Sequence, residues 1–418
     1  MSTMSLMSLM IDVMLLAVGA LLWLPTLVLL VEVLAAAWPV SRRPKISAQL
    51  GLADAPAGPQ CAAMRTRTAI LVPAHDEAAG ITATIGALKA QLRPLDRLLV
   101  VADNCTDATA AVARDSGADV AVRKKASKRG KGYALAFGVD QLRADPPAVV
   151  VVVDADCIAE ADCIGRLVAR CVESGRPVQA LYLMRSLPAA GVGSRIGEFA
   201  WVVKNQVRPR GSHRLGLPCQ LMGTGMAFPW ALIESAPLAG AHLVEDLQLG
   251  VDLALRGAAP LFMDSALVTS YFPSGDKALR SQRTRWEHGH LAVLSKEAPK
   301  LLWHALRSRR LDLAALALDL SVPPLASLAL LWAAFLLASG TSALMGGQAL
   351  PLQMALAATG CLVGALVLAW WGHGRKIISA VELLSVPLYA LRKLPLYAGF
   401  LRRRQTEWVR TERDDRKR

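Results

Sequence analysis

No two of the seven cysteines in this chain stand as C-x-x-C, and none has a histidine at zinc-ligand spacing. That excludes a zinc ribbon and a dithiol redox centre. Cys61, Cys105, Cys157, Cys163, Cys171, Cys219 and Cys361 read as small buried apolar side chains, six of them in a stretch expected to face the reducing cytosol. The G-x-x-x-x-G-K-[ST] spacing is missing, which excludes a P-loop. No basic helix with heptads and no aromatic RNA-binding signature occurs, so nucleic acid is not the expected partner. There is no internal repeat. Acidic residues are also short, 33 against 47 basic ones, for a formal charge of +14. Without nucleic acid to neutralise, that excess points to anionic lipid and to a phosphate-bearing ligand.

What the chain has in abundance is apolar sequence. Hydrophobic residues make up 54% and mean hydropathy is +0.37, which suggests a membrane protein. Residues 13–31, VMLLAVGALLWLPTLVLLV, are long enough to cross a bilayer. A signal peptide is the competing reading, but a basic n-region and an A-x-A-like site are missing, so a retained anchor is expected. Arg42, Arg43 and Lys45 then place that flank in the cytoplasm. Two more spans are expected at 320–338 and 352–371, joined by the uncharged GTSALMGGQALP and followed by His373, Arg375 and Lys376. Both orientations put the central region in the cytosol. Residues 377–401 are apolar but interrupted by Pro387, Arg392, Lys393 and Pro395, and read as an interfacial or re-entrant element; 277–309 also suits a membrane surface. The tail from Arg402 is net basic.

Between these segments the pattern alternates. TAILVP (68–73), RLLVV (97–101), ADVAV (118–122) and VVVVV (149–153) read as strands, and 79–92, 107–116 and 130–143 as helices. Strands alternating with helices imply βαβ units and a parallel sheet. The valine run stops abruptly in Asp154-Ala155-Asp156. Carboxylates at the C-terminal end of a buried strand sit where open α/β sheets bind ligands, and spaced i, i+2 they can meet on one hard cation. VPAHDE (72–77) and ADNCTD (102–107) end two other strands in the same way; Asp103 is expected to face the same crevice, and Asp107 or Thr106 to cap the next helix. KKASKRGKGYALAFG (124–138) is a basic loop opening a helix, suited to a diphosphate, with Lys131 the best candidate. In HLVEDLQLGVDLALRG, the pair Glu245-Asp246 opens a helix; Asp246 suits a general base, whereas helix capping is as good an account of Glu245. Gly223 and Gly225 around Thr224 allow a close backbone approach or a tight turn. Arg285 suits a diphosphate and Trp286 a sugar face. His288 and His290 lie two apart on a helix, on different faces, and are expected to make ordinary polar contacts.

The order VPAHDE, DNCTD, KGYAL, DADC, GTGMAF (223–228), VEDLQLG (244–250) and QRTRW (282–286) resembles a family 2 glycosyltransferase, and within it the membrane-embedded branch of cellulose and hyaluronan synthases. The resemblance covers roughly residues 68–295. It implies a GT-A fold, Rossmann-like and α/β, with an inverting hexosyltransferase activity. It also implies a nucleotide-sugar donor, UDP- in preference to GDP-, and Mg²⁺ or Mn²⁺. By the same resemblance Pro73, Ala74, Glu77 and Asp103 match the nucleoside site, and Asp154 and Asp156 match the D-x-D, with Asp156 the direct metal ligand. Asp246 matches the general base, and Gln282, Arg285 and Trp286 match Q-x-x-R-W beside diphosphate and acceptor. The expected organisation is a membrane helix within 1–40, a linker at 41–66, a GT-A domain at 67–295, an amphipathic segment with two spans at 296–376, and an interfacial segment with a basic tail at 377–418.

Two departures bear on the product. Three spans and one broken segment are few for a one-chain channel, and GTGMAF lacks the cysteine found at that point in cellulose synthases. The expectation is therefore a multi-pass enzyme of the cell membrane with a cytoplasmic catalytic domain. It would add a sugar to a lipid-linked or glycan acceptor for an exopolysaccharide or envelope glycan, among membrane lipids and polysaccharide-assembly partners. The alternatives are a processive synthase whose channel is completed by an oligomer or partner, and a catalytically silent membrane scaffold. A transporter is disfavoured because no charges pair between spans and Asp319 is the one acid near a span edge.

Overall fold

β-Branched and leucine-rich runs, buried on both faces, build the sheet in a computed structural model of the chain. The structure describes residues 3–38, 66–188, 190–240, 244–273 and 275–402. The expected linker, apart from Thr66, and the tail beyond Arg402 lie outside these residues. The chain divides into two units, one of residues 1–37, 186–217 and 276–405, the other of residues 38–185, 218–275 and 406–418.

The second unit contains the sheet. Strands β1 (Thr68–Ala74), β2 (Arg97–Asp103), β3 (Asp119–Arg123), β4 (Val149–Val152), β5 (Ile158–Ala159), β6 (Val178–Arg185), β7 (Met226–Pro229) and β8 (Leu261–Tyr271) lie in the order β3-β2-β1-β4-β7-β6-β8-β5. The first four in that order are parallel, as the βαβ pattern requires. Strand β7 runs antiparallel to β4, with Met226 opposite Val152, so the sheet is mixed. That reversal carries the turn before β7 to the C-terminal edge of β4. Helix Lys131–Leu142 packs on the sheet through Gly138, where a Cβ would stand 2.4 Å from Leu71 Cδ1 and 3.0 Å from Val101 Cγ2. This close approach sets Lys131, the first residue of the helix, over the strand ends.

The first unit contains the long helices. Met10–Ala37, Leu325–Leu344 and Leu350–Gly374 are long and apolar enough to cross a membrane. Polar contacts pin both ends of the first. Asp12 accepts from Gln348 N (3.2 Å) and Ser342 Oγ (3.4 Å), at the connection between the other two helices. Near the opposite end Glu32 accepts from Arg208 Nε (2.6 Å), while Arg208 Nη2 reaches Asp319 Oδ1 (2.5 Å) and its carbonyl (2.7 Å). Midway, fully buried Trp332 donates to Thr26 Oγ1 (2.8 Å) and meets Trp23 edge to face. Asp319 is thus not alone near a span edge, and charges do pair there. The sequence reading missed this because the matching arginine lies outside every apolar run.

The expected domain at 67–295 is not one unit. Residues 186–217 and the helix Asp276–Ser308 group with the long helices, because segments such as Arg208–Arg214 bury their faces against Met10–Ala37. At Gly211 a Cβ would stand 2.0 Å from the Glu32 carbonyl, so only glycine fits. After Gly374 come three short helices, Ala380–Leu383, Val386–Leu391 and Leu394–Arg402. Pro387 and Pro395 sit at the second helical position of the latter two, where a proline starts a helix instead of breaking one.

Candidate active site

The ends of β1 and β2 form one wall of the site. Asp103 is buried and paired with Arg123 (2.5 Å), and its Oδ1 also accepts from Asn104 Nδ2 (3.0 Å). Arg123 in turn donates to the Lys128 carbonyl (2.9 Å), so one guanidinium links the strand-end carboxylate to the basic loop. Pro73, Ala74 and Glu77 lie on the same edge, where His75 Nδ1 contacts the Asp103 carbonyl (2.6 Å) and Glu77 N donates to Thr109 Oγ1 (2.7 Å). Asp107 accepts from Thr109 N (2.9 Å) and from Ala78 N (3.0 Å), but the N-cap of helix Thr109–Asp115 is Ala108 and not Asp107 or Thr106 as expected.

The ends of β4 and β7 supply the centre. Lys131 is ion-paired with Asp154 and donates to the Gly223 carbonyl (2.6 Å). At Gly223, with φ +91°, a Cβ would point between Asp246 Oδ2 (3.4 Å) and Lys131 Nζ (3.6 Å). Lys131, Asp154, Gly223 and Asp246 therefore meet at one point, with Glu245 beside them. Burial works against the Lys131 charge, but Asp154, Glu245 and Asp246 together hold the ammonium above its ordinary range. Burial raises the Glu245 carboxyl; Lys131 partly offsets this, Asp246 adds to it, and the group is pushed up to about 7. An adjoining pocket is lined by Leu135, Met226, Leu238 and Leu249 opposite Lys131 and Asp246.

Thr224 is fully buried, and its hydroxyl accepts from Asp154 N (3.0 Å). It fixes the Asp-Ala-Asp turn and offers nothing to an acceptor, contrary to the sequence reading. Gly225, at φ +65°, faces the core, where a Cβ would stand 2.8 Å from both Ala180 Cβ and Val268 Cγ2. Of the three expected acceptor residues in this turn, only Gly223 borders the carboxylates.

Among the described residues, two groups have the spacing to hold a cation. In the first, ligand atoms of Asp154, Asp156 and Cys157 lie within 4.8 Å of one another. The two carboxylates suit a hard divalent ion. The Cys157 thiol does not, because burial, then Asp156 and Asp154, keep it well above its ordinary pKa and so protonated. In the second, Asp76 accepts from Thr106 N (2.5 Å), Thr106 Oγ1 (3.1 Å) and Asp107 N (3.2 Å), so with Cys105 and Asp107 it serves as a loop clasp.

Gln282, Arg285 and Trp286 belong to the other unit, on helix Asp276–Ser308. Gln282 is only 5% exposed on that helix. One face of Trp286 is covered by Trp201, with centroids 4.8 Å apart, and Lys204 stands over Trp201 at 5.4 Å. His288 and His290 contact the carbonyls of Leu396 (2.9 Å) and Val322 (3.1 Å), as expected of ordinary polar contacts. Burial pushes His290 down to about 3, with Lys204 and Arg208 adding to the effect. Sequence reasoning missed Arg123, Asp76 and Trp201. A cation closing strand 118–122 was the one visible signal for Arg123.

Residues 66–289, more than half of the chain, match the family described as glycosyltransferase-like family 2. The chain belongs to that family. Within the family setting, the match takes in the whole sheet together with the carboxylate cluster. Among curated relatives, the probable glycosyltransferase YdaM of Bacillus subtilis is 26% identical over 242 residues, covering 55% of this chain and 56% of that protein. Glucomannan 4-beta-mannosyltransferase 7 of Arabidopsis thaliana is 40% identical over 81 residues, 19% of this chain and 15% of that protein. The chain thus spans about half the length of the first relative and far less of the second. Among solved structures, the mannosyltransferase PcManGT of Pyrobaculum calidifontis, in complex with GDP-Man and Mn²⁺, aligns over 85% of this chain and 99% of that one at 19% identity and a TM-score of 0.49.

Proposed function

We propose that this family 2 glycosyltransferase is an inverting, membrane-bound hexosyltransferase that works at the cytoplasmic face of the cell membrane. It takes a sugar from a nucleotide-diphosphate donor, UDP- in preference to GDP-, and adds it to a lipid-linked or glycan acceptor in envelope or exopolysaccharide synthesis. The observation that carries this reading is the convergence of Lys131, Asp154, Gly223, Glu245 and Asp246 at the C-terminal edge of β4. Three span-length helices among the described residues support the membrane location.

In this reading the acceptor hydroxyl lies near Gly223 and gives its proton to the Asp246 carboxylate as its oxygen bonds to the anomeric carbon. The bond from that carbon to the diphosphate oxygen breaks, and the electron pair leaves with the nucleoside diphosphate. Asp156 and Asp154 would hold Mg²⁺ or Mn²⁺, which when bound offsets diphosphate charge. Lys131 releases or shares Asp154 and contributes a second positive charge. Asp103, held by Arg123, faces the nucleoside with Pro73, Ala74 and Glu77. Arg285 and Trp286 are assigned to diphosphate and acceptor on the strength of the Q-x-x-R-W motif alone. A polymer-extending variant is favoured by the name of the Arabidopsis relative, and product length separates it from single addition.

The test is Asp246→Asn in the full-length protein. Transfer should fall about 10²–10⁴-fold, while Mn²⁺-dependent nucleotide binding by calorimetry is kept. Transfer at the wild-type rate would remove Asp246 as the base.

A further inference from the structure

The three short helices after Gly374 have two unlike faces. Val381, Leu384, Leu388, Leu391 and Leu394 recur at steps of three or four and are all exposed, Leu384 at 81% and Val381 at 78%. Other groups of the same segment contact the rest of the unit. Glu382 pairs with Arg195, and Tyr389 lies under the Arg283 guanidinium at 5.8 Å and against Gly193. Glu287 takes both Lys393 Nζ and Tyr397 Oη, the latter at 2.6 Å. The Leu396 carbonyl meets His288 Nε2 (2.9 Å), and Phe400 packs on the His288 ring with centroids 5.4 Å apart. Arg283, Glu287 and His288 all lie on the helix that carries Gln282, Arg285 and Trp286.

The occupant of the apolar face follows from what adjoins it. Ala380 is only a short turn beyond Gly374, the end of a span-length helix, so the segment starts within about 20 Å of that end. Trp371, exposed at the same end, is covered by Arg375 at 4.3 Å, an aromatic and cationic pairing suited to a headgroup layer. Arg375, Lys376 and Arg392 are exposed around the stripe, which gives it positive flanks. An apolar stripe with basic flanks is the form of a helix lying in the plane of an anionic leaflet.

We propose that residues 379–402 form a membrane-surface strap. The outer stripe lies in an anionic lipid surface, and the inner face holds the helix of Gln282, Arg285 and Trp286 in place. This rests on the membrane location proposed above. Lipid contact on one face is thereby converted into order on the other.

The experiment uses the full chain in phosphatidylcholine–phosphatidylglycerol vesicles, with a benzophenone-bearing residue at Leu384 and, separately, at Leu388. Irradiation should give a lipid adduct by mass spectrometry at both sites. A cross-link to a second copy, or no lipid adduct, overturns the lipid face. In a second measurement, Lys393→Met with Tyr397→Phe should speed hydrogen exchange at 281–292 by about tenfold and leave β2 unchanged. Unchanged exchange at 281–292 overturns the strap. Neither readout needs donor or acceptor, so loss of transfer activity leaves both standing. If the protein is washed from the vesicles by alkaline carbonate, the membrane reading of the function fails along with the strap.

Discussion

Lys131 and Arg208 are each a single cation among carboxylates, and their settings differ. Lys131 stands beside Asp154, Glu245 and Asp246 with 18% of its side chain exposed and 29% of that of Asp154. Arg208 stands between Glu32 and Asp319 with 5% exposed, and its partners at 6% and 12%. The planar guanidinium matches two acceptors at once and is already satisfied by Glu32 and by Asp319 twice. The ammonium is a point charge that can change partners. The same ingredients make a lock where water is excluded and a candidate site where water has access.

That contrast breaks first at Arg208, in folding free energy. Arg208→Met leaves two carboxylates buried without their cation and should cost about 3–5 kcal/mol. The check is thermal unfolding in detergent, followed by the fluorescence of the long helices' tryptophans. Adding Glu32→Gln and Asp319→Asn to the same chain should recover most of the loss. An unchanged melting temperature in the single variant would mean that water already reaches the cluster. Next is Gly225→Ala, which puts a methyl 2.8 Å from Ala180 and Val268 at φ +65° and should cost about 3 kcal/mol. Urea unfolding measures it, and a cost near zero would show that the turn relaxes freely.

The two clusters were unequally legible in the sequence, for a physical reason. Strand runs such as 68–74 and 149–152 announce themselves because β-branched residues buried on both faces leave an unbroken apolar signal. Asp154, Asp156 and Asp246 were readable because each follows such an element or opens a helix, so local pattern fixes their place. Arg208 had no such frame, since its partners lie more than 100 residues away and the pairing depends on how long helices pack. Arg123 was hidden likewise, because a strand-end cation does not reveal which carboxylate it will find. Thr224 failed in the opposite sense. Its motif was read as a contact, whereas the buried hydroxyl is spent on the Asp154 amide. The division into units was illegible because helix Asp276–Ser308 directly follows the sheet in the chain yet packs with the long helices.

Within the candidate site, Glu245 separates burial from function. Its folded pKa of about 7 lies above the ordinary 4.5, so between those values the folded state keeps a proton that the unfolded chain has released. Stability therefore falls as pH rises through that window and levels off above about 7. Glu245→Gln removes the slope and, discounted for partial solvation, should be more stable than wild type by about 2 kcal/mol near pH 8. Parallel melting curves across the window would show that Glu245 is solvated and unshifted.

The smallest folding effect is expected at Lys131, and it tests the comparison most sharply. Lys131→Met removes the cation from three carboxylates, as Arg208→Met does from two. Here water has access, and Glu245, already near neutrality in its titration, can take up a proton. The cost should be about 1 kcal/mol or less. Donor binding and transfer should nevertheless fall by about 100-fold, because a charge that can leave Asp154 for a diphosphate has been lost. Lys131→Arg should keep the fold and restore little activity, since a planar fork does not fit the contact to the Gly223 carbonyl. A destabilisation as large as that of Arg208→Met would instead make Lys131 a second lock, and the carboxylates around it structural.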